Sequence, residues 1–310
     1  MQSLNVDLPS IRNPEPNGPM TTRFQALIFA TLFILSIVFW WRSLVATIKL
    51  ALAVDAYTHI LLILPLSAAL IYMEWAHVHI APRPSPRIGA ALLLLAALIA
   101  CCAKWIIVTA PDDVRLSFAM LALVIWWIAS VLLCFGVKAF QSLLFPLCFL
   151  ALLVPIPSFA LSRIIEFLQQ ESALAARILF QLARVPVTQD GVVLSIPKLD
   201  IEVAQECSSI RSSALLVVTT LVLAHLFLRS WWRKLILVAA AIPLSVAKNG
   251  LRIFTIAELG TRVDPGFLHG RLHRQGGIIF FGLSVAGIIV LLWIFRRNDF
   301  RTSPERSAAD

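Results

Sequence analysis

The stretch "QECSSIRSSALLVVTTLVLAHLFL", residues 205–228, decides the fold. From Ala214 to Leu228 it holds no Asp, Glu, Lys or Arg. About 20 predominantly apolar residues cross the hydrocarbon core of a bilayer, so the segment reads as a membrane helix. Its opening turns are different. Glu206, Cys207, Ser208, Ser209, Arg211, Ser212 and Ser213 form a dense polar cluster where the apolar run begins. The rest of the chain agrees with a membrane setting. Of 310 residues, 59% are hydrophobic and 14% charged, against about 45–50% and about 25% in soluble domains. Mean hydropathy is +0.87. The net charge of +9 comes mostly from Arg and Lys in short clusters beside apolar runs. That is the pattern of membrane loops and not of a nucleic-acid-binding face, so no nucleic acid is expected as a partner.

Counting apolar runs outward from this stretch gives about eight spans, at residues 24–41, 57–73, 88–110, 116–135, 140–156, 207–228, 235–254 and 278–295. The expected fold is an all-α polytopic membrane protein. A tail at 1–23 leads into a single transmembrane domain at 24–295, followed by a tail at 296–310. The first run follows polar residues and lacks a small-residue cleavage site, so it is expected to stay as a signal anchor. Four cysteines, Cys101, Cys102, Cys134 and Cys148, lie inside apolar runs, where Cys behaves as a small hydrophobe. With Cys207 they form no disulfide or metal spacing, and no cofactor or metal is expected.

Lys and Arg accumulate in the short cytoplasmic loops of membrane proteins. The basic connections here are "RPSPR" (residues 83–87), Lys138, "RSWWRK" (229–234) and the tail from Arg296. With eight spans they share one side with both termini. The other face receives residues 55–59, 111–115, 157–206 and 257–277. Arg42 and Lys49 fall there too, against the trend. Within the long outer segment, "SFALSRIIEFLQQESALAARILFQLA" has helical apolar spacing with Arg163, Glu166 and Arg177 interspersed, which predicts an amphipathic helix in the interface or capping the bundle. The β-branched residues around Asp190-Gly191 then predict a short hairpin that feeds into Cys207.

Three polar sites from distant parts of the chain reach this outer face. Cys207 opens the sixth span. Arg252, in "AKNGLRIF", is expected near the outer end of the seventh, with Lys248 and Asn249 one turn earlier. His269 and His273, in "FLHGRLHRQGG", precede the eighth. Singly, each fits a plain role: an inert cysteine, an interfacial anchor, a loop histidine. Together they describe acyl transfer. A helix start and the nearby Arg211 favour thiolate at Cys207, a histidine serves as base and then acid, and an arginine holds an oxyanion.

"ECSSIRSS", "AKNGLRIF" and "LHRQGGIIFF", in this order, resemble the exosortase/archaeosortase family of membrane cysteine transpeptidases. "YTHILLILPLSAALIYMEW" and "DGVVLSIPKLDIEVAQEC" resemble its Tyr-x-His segment and its hairpin before the cysteine, so that the likeness covers roughly residues 57–281. The resemblance implies Cys207 as nucleophile, Arg252 as oxyanion or carbonyl stabiliser and His273 as acid/base, with His269 as the alternate and Arg211, Asn249 and Ser208 in support. Many members have Cys-Ser-Gly where this chain has Cys207-Ser208-Ser209. The substrates implied are exported proteins that end in a motif such as Pro-Glu-Pro, a transmembrane helix and a basic tail. The product would pass to an acceptor at the outer face of a bacterial inner membrane. Competing readings are a polytopic transporter, or a structural subunit of a polysaccharide export assembly.

Overall fold

The computed structural model describes residues 19–75, 83–106, 109–197, 199–203, 210–269 and 277–301. Lipid offers backbone groups no hydrogen bonds, so apolar runs must close their own ladders as helices. The described helices are α1 (Pro19–Ala53), α2 (Ile60–Trp75), α3 (Pro86–Cys101), α4 (Asp112–Ser142), α5 (Leu144–Phe149), α6 (Ser158–Leu182), α7 (Ile210–Phe227), α8 (Trp231–Arg262), α9 (Gly266–His269) and α10 (Gly277–Arg301). A π-helical turn, Cys102–Ile106, continues α3, and 3-10 turns occupy Asp55–Tyr57 and Leu150–Leu153. Among the described residues seven helices are long and apolar enough to cross a membrane, or eight if the pair Leu144–Leu153 and Ser158–Leu182, bent by 95°, counts as one crossing. The chain is thus an all-α polytopic membrane protein.

Several expectations change at the edges. Residues 140–156 do not form one straight span: α4 runs through to Ser142, and α5 with its 3-10 turn is only about 17 Å long at ordinary helical rises. The Val-Pro-Ile-Pro sequence after it then stops the helix, because proline disfavours helical backbone before it. The first span extends to Ala53, since Arg42 and Lys49 on long stems do not interrupt a helix. α8 likewise continues past residue 254 to Arg262, supported by the Glu258–Arg262 pair at 2.7 Å. Arg252 therefore lies ten residues before the end of α8 and not near it. The hairpin around Asp190-Gly191 is present as β1 (Thr188–Asp190) and β2 (Val193–Ile196), but a third strand, β3 (Leu199–Glu202), extends it to an antiparallel meander. The alternation of Leu199 and Ile201 with Asp200 and Glu202 is the strand signal for it.

The chain forms two compact units. The first comprises Met1–Val45, Pro65–Ala110 and Phe118–Val154. Here α1 is joined to α4 by indoles: Trp126 Nε1 donates to the Leu32 carbonyl at 3.1 Å and Trp127 Nε1 to Ser36 Oγ at 2.9 Å. Phe29 packs on Phe135, and Trp40 on Trp126. α4 is kinked at Gly136 (φ 82°, ψ −177°), in a backbone region open essentially to glycine alone. A Cβ there would run into the Arg83 carbonyl, and Ser85 N–H donates to the Leu132 carbonyl at 3.2 Å. The kink thereby lets the chain entering α3 lie against α4.

The second unit comprises Ala46–Leu64, Pro111–Ser117 and Pro155–Asp310. α6 packs on α8 and the meander through Ala173, Ala176, Phe180, Leu194, Ile196, Val203, Ile253 and Ala257, all buried. The helices touch closely at Gly250, where a Cβ would sit 2.6 Å from Ala175 Cβ. Small residues at a membrane helix interface give this close approach. A second apolar cluster joins Leu216 and Ala224 of α7, Leu237 and Ala241 of α8, and Ile288 and Leu292 of α10.

Gly136→Ala should destabilise the fold by about 1–3 kcal/mol for its backbone conformation alone. Thermal unfolding in detergent should show a lower Tm and a reduced folded yield. An unchanged Tm would mean that the kink is not required.

Candidate active site

The described part of α7 opens with Ile210, Arg211, Ser212 and Ser213, and these residues meet the middle of α8. Lys248 Nζ donates to Ser212 Oγ, and the Ser245 hydroxyl donates to Ser213 Oγ. Lys248 is 4% exposed, so its ammonium lies within the helix interface. A buried polar group without a partner costs several kcal/mol, and these two contacts give each of the four side chains a partner. α7 and α8 are successive spans and run antiparallel. Beyond Lys248, α8 therefore continues toward and past the beginning of α7, carrying buried Asn249 and then half-buried Arg252. "ECSSIRSS" and "AKNGLRIF", separate in sequence, are joined by side-chain hydrogen bonds.

A third segment joins the same unit. Arg211 forms an ion pair with Asp55 at 3.5 Å, both side chains largely exposed. Asp55 opens the 3-10 turn that contains Tyr57 and leads to His59, whose Nδ1 lies 3.1 Å from the Ala56 carbonyl. The Tyr57 hydroxyl donates to the Ile156 carbonyl at 2.7 Å, Ser117 Oγ to the Pro155 carbonyl at 2.7 Å, and Ser158 N–H to the Asp113 carboxylate at 2.6 Å. Three side chains thus hold the bend from which α6 departs.

α6 in turn holds the strand that leads toward the cysteine. Gln169 Nε2 donates to the carbonyl of buried Val203 at 2.8 Å, and Val203 N–H donates to the Val192 carbonyl at 3.0 Å. The chain is therefore anchored at Val203 and again from Ser212. Cys207, Ser208 and His273 lie outside the described residues. His269 ends α9, with its side chain outside the described part. Among the described residues no three His, Cys, Asp or Glu side chains are grouped closely enough to hold a metal ion.

Sequence reading ranked Arg211, Asn249 and Arg252 but gave no partner for Lys248 and no role to Asp55 or Gln169. A lysine inside an apolar helix was the available signal for the first. Asp55 lies 156 residues from Arg211, and nothing local pairs them.

The sequence pattern of the transmembrane exosortase family matches residues 40–290. No curated protein and no solved structure matches the chain. The family match takes in well over half of the 310 residues and all three segments that meet in the second unit. The chain belongs to the transmembrane exosortase family, as a multi-pass membrane protein with a transpeptidase kind of function.

Proposed function

We propose that the chain is a cysteine transpeptidase that cuts a C-terminal sorting signal from exported proteins and passes the product to an acceptor nucleophile. One observation carries the reading: Lys248 and Ser245 hydrogen-bond Ser212 and Ser213, fastening the helix that bears Arg252 to the helix that follows Cys207. The family supports substrates that are exported proteins with a C-terminal signal. The finer reading is a short motif such as Pro-Glu-Pro, then a helix that stays in the lipid, then a basic tail. The active site would face the outer side of the bacterial inner membrane. With the bent pair counted as a crossing, both termini are cytoplasmic.

In the first half-reaction His273 takes the Cys207 thiol proton, and the thiolate sulfur attacks the scissile carbonyl carbon. The carbonyl electron pair moves onto oxygen, where the Arg252 guanidinium donates to it. As the adduct collapses, the C–N bond breaks, the imidazolium protonates the leaving amine, and a thioester remains on Cys207. In the second half an acceptor attacks the thioester, gives its proton to His273, and releases Cys207. An amine acceptor completes transpeptidation, and water gives hydrolysis. Asn249 and Ser208 would shape the site. Arg211 would bias Cys207 toward thiolate while sharing its charge with Asp55.

Co-expression with a tagged reporter carrying a Pro-Glu-Pro, helix and basic-tail C-terminus tests the reading. Wild type should shorten the reporter on a gel, whereas Cys207→Ala should leave it intact while inserting normally into the membrane. Processing that survives in Cys207→Ala would sink the mechanism. Arg252→Lys keeps the charge but loses the planar fork, and turnover should fall about 10²-fold or more. Near-normal turnover would reject the oxyanion role. His273→Ala should abolish processing while His269→Ala only slows it, and the opposite ranking would reassign the acid/base to His269.

A further inference from the structure

The first unit contains a cavity of about 420 Å³ between α1, the end of α3 and α4, within the roughly 300–1,000 Å³ of small-ligand sites. Leu35, Phe39, Trp40 and Trp126 give it an apolar wall, and Lys104 and Trp105 also line it. These two residues belong to the π-helical turn Cys102–Ile106. Such turns are rare and concentrate at functional sites.

Three features set this cavity apart from an ordinary lipid-facing groove. Trp residues in a membrane belt normally face the headgroups, but Trp40 is 5% exposed and Trp126 spends its indole N–H on the Leu32 carbonyl, so that both rings serve as wall. The Lys104 ammonium lies 5.3 Å from the centroid of the Trp105 ring, and no carboxylate among the described residues pairs with it. Its depth is also informative. Lys104 is 18 residues beyond Pro86, roughly 27 Å along the helix, close to the full hydrocarbon thickness of about 30 Å, so the cation sits at headgroup level.

A second cation lies toward the same side. α1 and α3 are the first and third of three successive spans and run parallel, so the later residues of α1 lie at the Lys104 end. Arg42 follows Phe39 by three residues and shares its face of α1. Both cations lie at the end of α3 away from the basic 83–87 loop, where membrane proteins ordinarily carry few Lys and Arg. An apolar slot lined by Lys104, with Arg42 one turn beyond Phe39 on the same face of α1, is complementary to an amphiphile with an acyl tail and an anionic head.

We propose that this cavity binds one anionic phospholipid, with an acyl chain against Phe39, Trp40 and Trp126 and its phosphate on Lys104 and Arg42. The proposal goes beyond the transpeptidase reading and does not depend on it. The phosphate gives specificity, because a zwitterionic lipid fills the slot equally well but gains less from two cations. Each cation near an anionic headgroup is worth about fivefold in affinity.

Native mass spectrometry of the full chain in detergent, titrated with phosphatidylglycerol and with phosphatidylcholine, tests this. Wild type should bind one phosphatidylglycerol at least about fivefold more tightly than phosphatidylcholine. Lys104→Gln and Arg42→Gln should each weaken phosphatidylglycerol by about fivefold and leave phosphatidylcholine unchanged. Lys104→Arg should keep the preference, and Lys49→Gln, which removes a cation two turns beyond Arg42 on α1, should change neither lipid. Ala100→Trp, which fills the slot, should reduce uptake of both. Equal affinity for the two lipids, or an unchanged preference in Lys104→Gln, overturns the proposal. So would inorganic phosphate binding to the lipid-free protein with the same Lys104 dependence, which would assign the cations to free phosphate.

Discussion

Inside a bilayer a cation has to bring its partner with it, and the Lys248–Ser212 contact is where this chain meets that demand. A buried ammonium that loses its partner is costly in a low-dielectric interior, so the contact matters more than a surface hydrogen bond does. It acts together with Ser245 and Ser213, one turn of α8 away. A slip of α7 along α8 by one helical turn, about 5.4 Å, would break both contacts at once. Apolar packing between Leu216, Leu237 and Ile288 supplies attraction but no comparable register, because methyl groups tolerate sliding. The polar pair therefore sets where Arg252 stands relative to the start of α7.

That arrangement has a cost. Lys248 and Arg252 are like charges at i and i+4 on one helix, a spacing that is mildly unfavourable even in water. A charged side chain at the centre of a span costs about 2.5–3.5 kcal/mol on insertion scales. A chain selected only to span a membrane would place Leu or Ala at both positions. Local rules of this kind are broken where function requires it. The "AKNGLRIF" turn breaks them twice and adds Gly250, which weakens a helix but lets α6 approach within contact of Ala175. Two of these departures are polar and one is steric, and all three bear on one short turn of α8.

Much of this was legible in the sequence. Helices announce themselves in a bilayer through length and apolarity alone, which is why the span count and the amphipathic α6 followed from composition and period. The hairpin was visible in Asp190-Gly191 flanked by β-branched residues. What stayed hidden depends on tertiary partners. The break at residues 153–158 is signalled by two prolines, but the side chains that hold the 95° bend, Tyr57, Ser117 and Asp113, come from elsewhere in the chain. The Arg211–Asp55 pair and the Gln169 contact to Val203 link residues 156 and 34 apart, and no period or motif encodes such a distance. Motif residues were thus readable by type, and the contacts that orient them were not.

Those side chains also explain how irregular backbone is tolerated in so apolar a chain. The turn at residues 154–157 and the strand end at Val203 expose carbonyls that no helix ladder satisfies. Non-helical backbone in a membrane protein persists only where protein or a wet cavity replaces the missing bonds. Here the replacements are specific: Tyr57 for Ile156, Ser117 for Pro155, Gln169 for Val203, and Asp113 for the first N–H of α6. Because Tyr57 sits beside the Asp55 that meets Arg211, the segment that permits the bend is the same one that meets the start of α7. Replacing this irregular stretch by a plain loop would preserve the spans but remove the frame of α6, meander and α8 that holds the chain at Val203, just ahead of the 204–209 segment.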